Sequence, residues 1–116
     1  MRAAPVLALS LAFALPLLGC ASTFTSAKDD LRRGDAANAR VKLVSVEADV
    51  AAWNEKDRAE YALERGVTHL SLGDRDAATL WLKKANDMVR ADPQVLNEQN
   101  RARLKVSLET TSFPRP

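Results

Sequence analysis

Apolar residues run almost unbroken from Ala3 to Leu18, and beyond them polar and apolar positions alternate at helical spacing. After the polar stretch Ala21–Thr25, Ser26 is placed to cap a short helix over Ala27–Arg33, with Asp29 near its positive end. Gly34-Asp35 reads as a stop followed by a new cap. From Ala36 to Ala52, apolar side chains recur at Ala36, Ala39, Leu43, Val46 and Val50, the stripe of a helix. The Val41–Val46 portion also fits a strand. Asn54 then caps Glu55–Leu72, where Ala59, Ala62, Leu63, Gly66, Val67 and Leu70 fall at i, i+3, i+4, i+7, i+8 and i+11, one buried helical face. Gly73-Asp74 repeats the stop and cap. Arg75–Ala91 follows, with Ala78, Trp81, Leu82, Ala85, Met88 and Val89 on one side. Asp92-Pro93 starts a last helix to about Glu109, with Pro in the first helical position, and Thr110–Pro116 is expected to fray. The pattern predicts an all-α fold.

Composition strengthens that prediction and closes several functional classes. The 116 residues include 20 Ala, 16 Leu and no Ile, a bias toward helix over sheet. They make one domain at most. Lys and Arg number 17 against 15 Asp and Glu, a balance that gives no support to nucleic-acid binding. One Cys rules out an internal disulfide, and with one His it falls short of the about four ligands of a zinc site. No metal or cofactor is expected.

The apolar run Ala3–Leu18 follows a single basic residue, Arg2, and is interrupted by Pro5 and Pro16. It is short of the ~20 residues that cross a bilayer as a helix and reads better as a secretion signal. It ends in Leu17-Leu18-Gly19-Cys20, which resembles a bacterial lipobox: Leu three before the Cys and a small residue just before it. The resemblance implies thioether lipidation of Cys20 by diacylglycerol, cleavage before it and acylation of the new amino end. The competing reading is a conventional signal with a chance Cys, or a buried free thiol. By the sorting rule for such lipoproteins, Ala21 in place of Asp implies the outer membrane of a Gram-negative cell, facing the periplasm. The expected organisation is a signal over 1–19, the lipidated Cys and a tether over 20–25, a helical domain over 26–112 and a tail over 113–116.

Gly-Asp recurs at 34–35 and 73–74, each followed four residues later by Ala39 or Ala78, and Leu43 then matches Leu82. A period near 39 residues points to stacked antiparallel helical hairpins. The segment Ala59–Ala85, AEYALERGVTHLSLGDRDAATLWLKKA, resembles a tetratricopeptide repeat. In that resemblance Gly66 is the small residue where two helices come close, Gly73-Asp74 the turn, Ala78 the small residue at the crossing, Leu82 the large core residue and Ala85 the contact to the next unit. Arg65 stands where Leu is usual and Ala62 where an aromatic is common. The chain then holds about one and a half repeats plus a capping C-terminal helix. About three repeats are normally needed for independent stability. Without residues 1–19, hydrophobic residues number 40 of 97, a thin core that a partner or self-association would complete.

The side chains capable of chemistry read mostly as structure. His69 takes the slot of a semi-buried Tyr in the repeat and is expected to pack in the core or at its edge; a catalytic role would need a nucleophile and an orienting acid that no motif supplies. Asp74 and Asp76 lack a calcium-loop pattern and read as capping and helix-dipole residues. Glu60 and Glu64, one turn apart, are expected on a solvated face. Arg101 and Lys105 share a face of the last helix while Arg103 points away. Trp81 packs between hairpins or anchors an interface. No catalytic residue is expected.

The tetratricopeptide resemblance implies that the first helix of a repeat lines a concave groove, which makes Glu60, Leu63, Glu64, Val67, Leu70 and Ser71 the candidate partner-binding residues. The alternative is that Leu63, Val67 and Leu70 pack under the last helix or against Ala36–Ala52. The expectation is a non-enzymatic protein-interaction module on a lipid anchor, with protein partners in the cell envelope and an accessory role in a pilus, secretion or export machine. The alternative is a structural envelope lipoprotein that self-associates as a homo-oligomer.

Overall fold

The structure is a computed structural model that describes residues 15–113, with side chains from residue 20. Most of the expected signal and the prolines of the tail lie outside the described residues. Among those described, every regular element is helical: α1 (Leu15–Arg32), α2 (Ala36–Ser45), α3 (Glu55–Ser71), α4 (Arg75–Ala91) and α5 (Glu98–Ser112), with 3-10 turns over Glu47–Ala52 and Pro93–Val95.

The two Gly-Asp pairs close their helices by one repeated geometry. Gly34 and Gly73 have φ of 80° and 81°, a left-handed backbone that disfavours any residue with a Cβ. Asp35 N–H donates to the Asp30 carbonyl at 2.8 Å and Asp74 N–H to the His69 carbonyl at 2.9 Å, the six-residue closure of a Schellman motif. Each Asp then turns its side chain forward to accept from the next helix, from Asn38 N–H at 3.1 Å and from Ala77 N–H at 3.2 Å. These short links fold α1 back on α2 and α3 back on α4, and the pairs pack on each other through α2 and α3.

Four boundaries differ from the sequence pattern. The expected spacer Ala21–Thr25 is helix, and Ser26 does not cap: α1 runs through both to Arg32. Phe24 explains this, since it is 6% exposed and packs at 5.3 Å from Trp53 and 5.9 Å from Tyr61. That burial outweighs the weak helix preference of the Ser/Thr run. Ser26 Oγ instead accepts from Lys42 Nζ at 2.7 Å. The stretch Ala36–Ala52 is helical, not a strand, but its α-helix ends at Ser45. There Ser45 Oγ donates back to the Lys42 carbonyl at 2.6 Å, and the chain tightens into 3-10 turns. Asp92 caps only the turn Pro93–Val95, and α5 starts later, from Asn97, whose side chain accepts from Asn100 N–H at 2.8 Å. Val95 and Leu96 drop into the core between them, and Arg101 donates to the carbonyls of Pro93 and Leu96. At its far end α5 continues through Thr110 and Thr111 to Ser112, where a frayed tail is expected; the rest of that tail beyond Phe113 lies outside the described residues.

Two apolar clusters hold the helices. Ala59, Ala62, Leu63, Ala78, Leu82 and Ala85 join Val95, Leu96 and Leu104 in one; Phe24, Ala27, Leu43, Val46 and Tyr61 form the other. The small residues let α3 and α4 approach closely, and Gly66 lies directly against Leu82. Trp81 packs against both clusters, edge-on to Tyr61 at 5.7 Å. Of its two expected roles, packing between hairpins is the one observed.

Candidate partner-binding groove and lipidation site

Helices α1, α3 and α5 run in one direction. Cys20 lies beside Asp49 just ahead of α3, Lys28 beside Glu60, and Glu64 beside Arg103. Their shared face forms a cleft of about 430 Å³, lined by Lys28, Leu31 and Arg32 of α1, by Glu60, Glu64 and Val67 of α3, and by Asn97, Gln99, Asn100 and Arg103 at the start of α5. A second depression of about 630 Å³ continues it past Lys56 and Asp57 and shares Glu60, Asn97 and Asn100.

Ion pairs cross the cleft. Lys28 Nζ stands 3.3 Å from Glu60 Oε1. Glu64, expected on a solvated face, is 3% exposed and receives two hydrogen bonds from the Arg103 guanidinium, at 2.9 and 3.0 Å. The correction has a plain cause: α5 lies over α3, and a buried carboxylate needs a partner of this kind. The hydrogen bonds to Glu64 push the Arg103 pKa further up. Asn97, Gln99 and Asn100 line the same cleft with amide groups; the oxygens of Asn97 and Asn100 accept from Asn100 N–H and Arg103, which leaves their NH2 groups as donors to a peptide backbone beside the Gln99 amide.

The six nominated residues divide. Glu60, Glu64 and Val67 line the cleft. Leu63 is wholly buried in the larger cluster, and Val67 and Leu70 pack against it. Ser71 is exposed at the far end of α3, away from the cleft lining. The alternative of packing therefore holds for Leu63 and Leu70. The sequence reading missed the contributions of α1 and α5. Lys28 and Arg32 fall within the helix expected over Ala27–Arg33, and Asn97, Gln99 and Asn100 within the expected last helix, but their place beside α3 comes from contacts more than 30 positions apart that no local pattern carries.

No family model, curated protein or solved structure matches this chain. What it does must be argued from its own residues.

Across α3 from the cleft lies a polar cluster. Arg65, in the position where Leu was usual, is 7% exposed and stacks 4.5 Å from the Trp81 ring centroid. It donates to Glu47 at 2.7 Å and to the Tyr61 hydroxyl at 2.9 Å, and that hydroxyl donates to the Leu43 carbonyl at 2.7 Å. Burial lowers the Arg65 pKa, but the bonds to Glu47 and Tyr61 outweigh it and the net shift is upward. His69 Nε2 is 3.4 Å from Arg65, and the imidazole is 7% exposed.

Burial first, and then the Arg65 charge, lower the His69 pKa. The unfolded chain then binds this proton more readily than the folded one. The contribution of the neutral ring is complete above the unfolded value near ~6.5 and is lost as pH falls below it toward the folded pKa. His69→Gln is expected to shrink the loss of urea midpoint between pH 7 and pH 5. An identical loss in both proteins would remove His69 as a source of that dependence.

Cys20 sits half-buried beside the Phe24 cluster, and its thiol donates to Asp49 Oδ2 at 3.1 Å. That hydrogen bond, then burial and the carboxylate charge, push its pKa up, so the thiol form dominates at neutral pH. No helix among the described residues is long and apolar enough to cross a membrane.

Proposed function

We propose that this chain is a lipid-anchored, non-enzymatic interaction module of the bacterial envelope, in which a tetratricopeptide-like stack of helices presents a groove to a protein partner. The observation that carries the reading is the cleft shared by α1, α3 and α5, into which Glu60, Glu64 and Val67 converge. These are three of the residues that the repeat resemblance nominates. The equal closure of the Gly34 and Gly73 turns supports a duplicated hairpin, and the close contact of Gly66 with Leu82 fits the small residue of such a repeat. The signal-like run ending in Cys20 supports the anchor, and by the lipoprotein sorting rule Ala21 in place of Asp supports the periplasmic face of the outer membrane in a Gram-negative cell. Confinement to a membrane raises the effective concentration of the groove for partners held in the same envelope. Fitting roles are accessory ones in a pilus, secretion or export machine.

Photo-crosslinking amino acids at Arg32 and Gln99, both exposed on the cleft rim, test the reading in intact cells. A discrete second protein is expected from both positions. The self-associating alternative is favoured by the exposed Val41, Val44, Leu80, Val106 and Phe113. It predicts dimers of this chain alone, trapped from Val44 or Phe113, with nothing captured in the cleft.

A further inference from the structure

We propose that the end of the domain formed by Cys20, the Glu47–Ala52 turns and Trp53 is a membrane-facing surface, held in one orientation because α1 acts as a rigid strut. The inference rests on the lipid-anchor reading and adds to it the geometry that a loose tether lacks. One turn separates Cys20 from Phe24, about 6 Å along the axis at ~1.5 Å per residue. Phe24, Ala27 and Asp30 then bury one face of the helix. Asp30 is 1% exposed, pairs with Arg33 and stands 2.7 Å from Lys42 Nζ of α2, an ion pair rather than an aligned hydrogen bond. The strut is therefore fastened by aromatic packing at its lower end and by charge at its upper end.

Direction follows from the pairing of elements. Cys20 meets Asp49 and Phe24 meets Trp53, so the starts of α1 and α3 lie at the same end. The groove depression that holds Lys56, Asp57, Asn97 and Glu98 puts the start of α5 there too. The Gly34 and Gly73 turns are at the opposite end. Beside the anchor, Ala21, Phe24, Thr25 and Trp53 line a hollow of about 350 Å³ together with the polar Lys28, Asn54 and Asp57, and Ala51 and Ala52 next to it are exposed. An indole beside small apolar residues suits the headgroup level of a bilayer. The neighbouring acids Glu47, Asp49, Glu55 and Asp57 outnumber Lys28 and Lys56, so this surface does not adhere to anionic lipid by itself; the covalent anchor holds it in place.

The test uses the chain as the anchor reading has it, from Cys20 onward, in phosphatidylcholine nanodiscs, coupled through the Cys20 thiol to a maleimide-bearing phospholipid, with nitroxide headgroup lipid as quencher. One protein keeps Trp53 as its only indole by Trp81→Phe. The other carries Leu72→Trp with Trp53→Phe and Trp81→Phe, reporting from the far end of α3, about 28 Å away along the helix. Several-fold stronger quenching at Trp53 is expected, and a long Gly-Ser insert between Cys20 and Ala21 should equalise the two. Equal quenching without the insert overturns the strut. A second measurement needs no substitution: a nitroxide on Cys20 should give an immobilised spectrum, and the sharp lines of a free tether would overturn the proposal. Coupling is chemical, so an absence of lipid on Cys20 in cells would end the anchor reading while leaving these outcomes intact.

Discussion

Gly66→Val is expected to destabilise the domain by about 3 kcal/mol or more, enough to unfold much of a small protein whose total stability is ~5–15 kcal/mol. A Cβ at Gly66 would stand 2.4 Å from Leu82 Cδ2, 2.5 Å from Leu82 Cγ and 3.3 Å from the Leu82 backbone nitrogen. Leu82 is fully buried among Ala59, Ala62, Ala78 and Ala85, so its side chain has little room to turn away. The backbone nitrogen cannot yield at all unless α4 moves. Gly66→Ala gains about 1 kcal/mol of helix propensity, which offsets part of its overpacking. Valine adds two methyl groups and a stiff χ1 at the same point. The urea midpoint by circular dichroism measures the loss. Combining Gly66→Val with Leu82→Ala should recover about 1–3 kcal/mol relative to the sum of the single changes, because the two act on one contact. A cost below about 1 kcal/mol for the single valine would mean that α3 and α4 do not approach as described. The crossing matters for the groove because α3 supplies its central wall.

Cys20→Ser is expected to abolish incorporation of labelled lipid and to leave the chain soluble or unprocessed. The change should be all or none. One myristoyl chain holds a protein only marginally, with a constant of ~10⁴ M⁻¹, while two or three chains on one residue make release negligible. Serine keeps a hydroxyl that can donate to Asp49 as the thiol does, so the urea midpoint should stay within about 0.5 kcal/mol of the unchanged protein. That separation lets a loss of membrane retention be assigned to the anchor rather than to unfolding. Continued lipid labelling of the serine variant would sink the lipobox reading. A normal midpoint together with lost labelling is the result that supports it.

The polar cleft was half legible in the chain. Glu60, Glu64 and Val67 are candidates because the tetratricopeptide resemblance implies that the first helix of a repeat lines a groove, and the helix expected over Glu55–Leu72 is observed as α3. The same resemblance implies Leu63 for the groove, but it faces the core, as its place in the apolar periodicity of the helix also predicts. Arg103 was set aside because Arg101, Arg103 and Lys105 do not form one stripe. Its role depends on Glu64, which is 39 positions away and comes into reach only when α5 lies over α3. Arg65 looked like a departure from a repeat pattern; the tertiary structure surrounds it with Glu47, Tyr61 and the Trp81 ring.

By itself, the sequence determined the all-helical class, the caps at Asp35, Asn54 and Asp74 and the two glycine turns. All of these depend on contacts within a few residues or on the absence of a side chain, and short-range chemistry can be read along the chain. Only the tertiary structure decided that α1 runs unbroken past Cys20, that the last helix begins at Glu98, and that Glu64 is buried. In each case a distant partner outweighs the local preference: the Trp53 and Tyr61 rings for Phe24, the apolar core for Val95 and Leu96, and the Arg103 guanidinium for Glu64. Helix propensities differ by less than about 1 kcal/mol per residue, whereas burying one large side chain contributes ~1.5–3 kcal/mol. Packing therefore prevails wherever the two disagree.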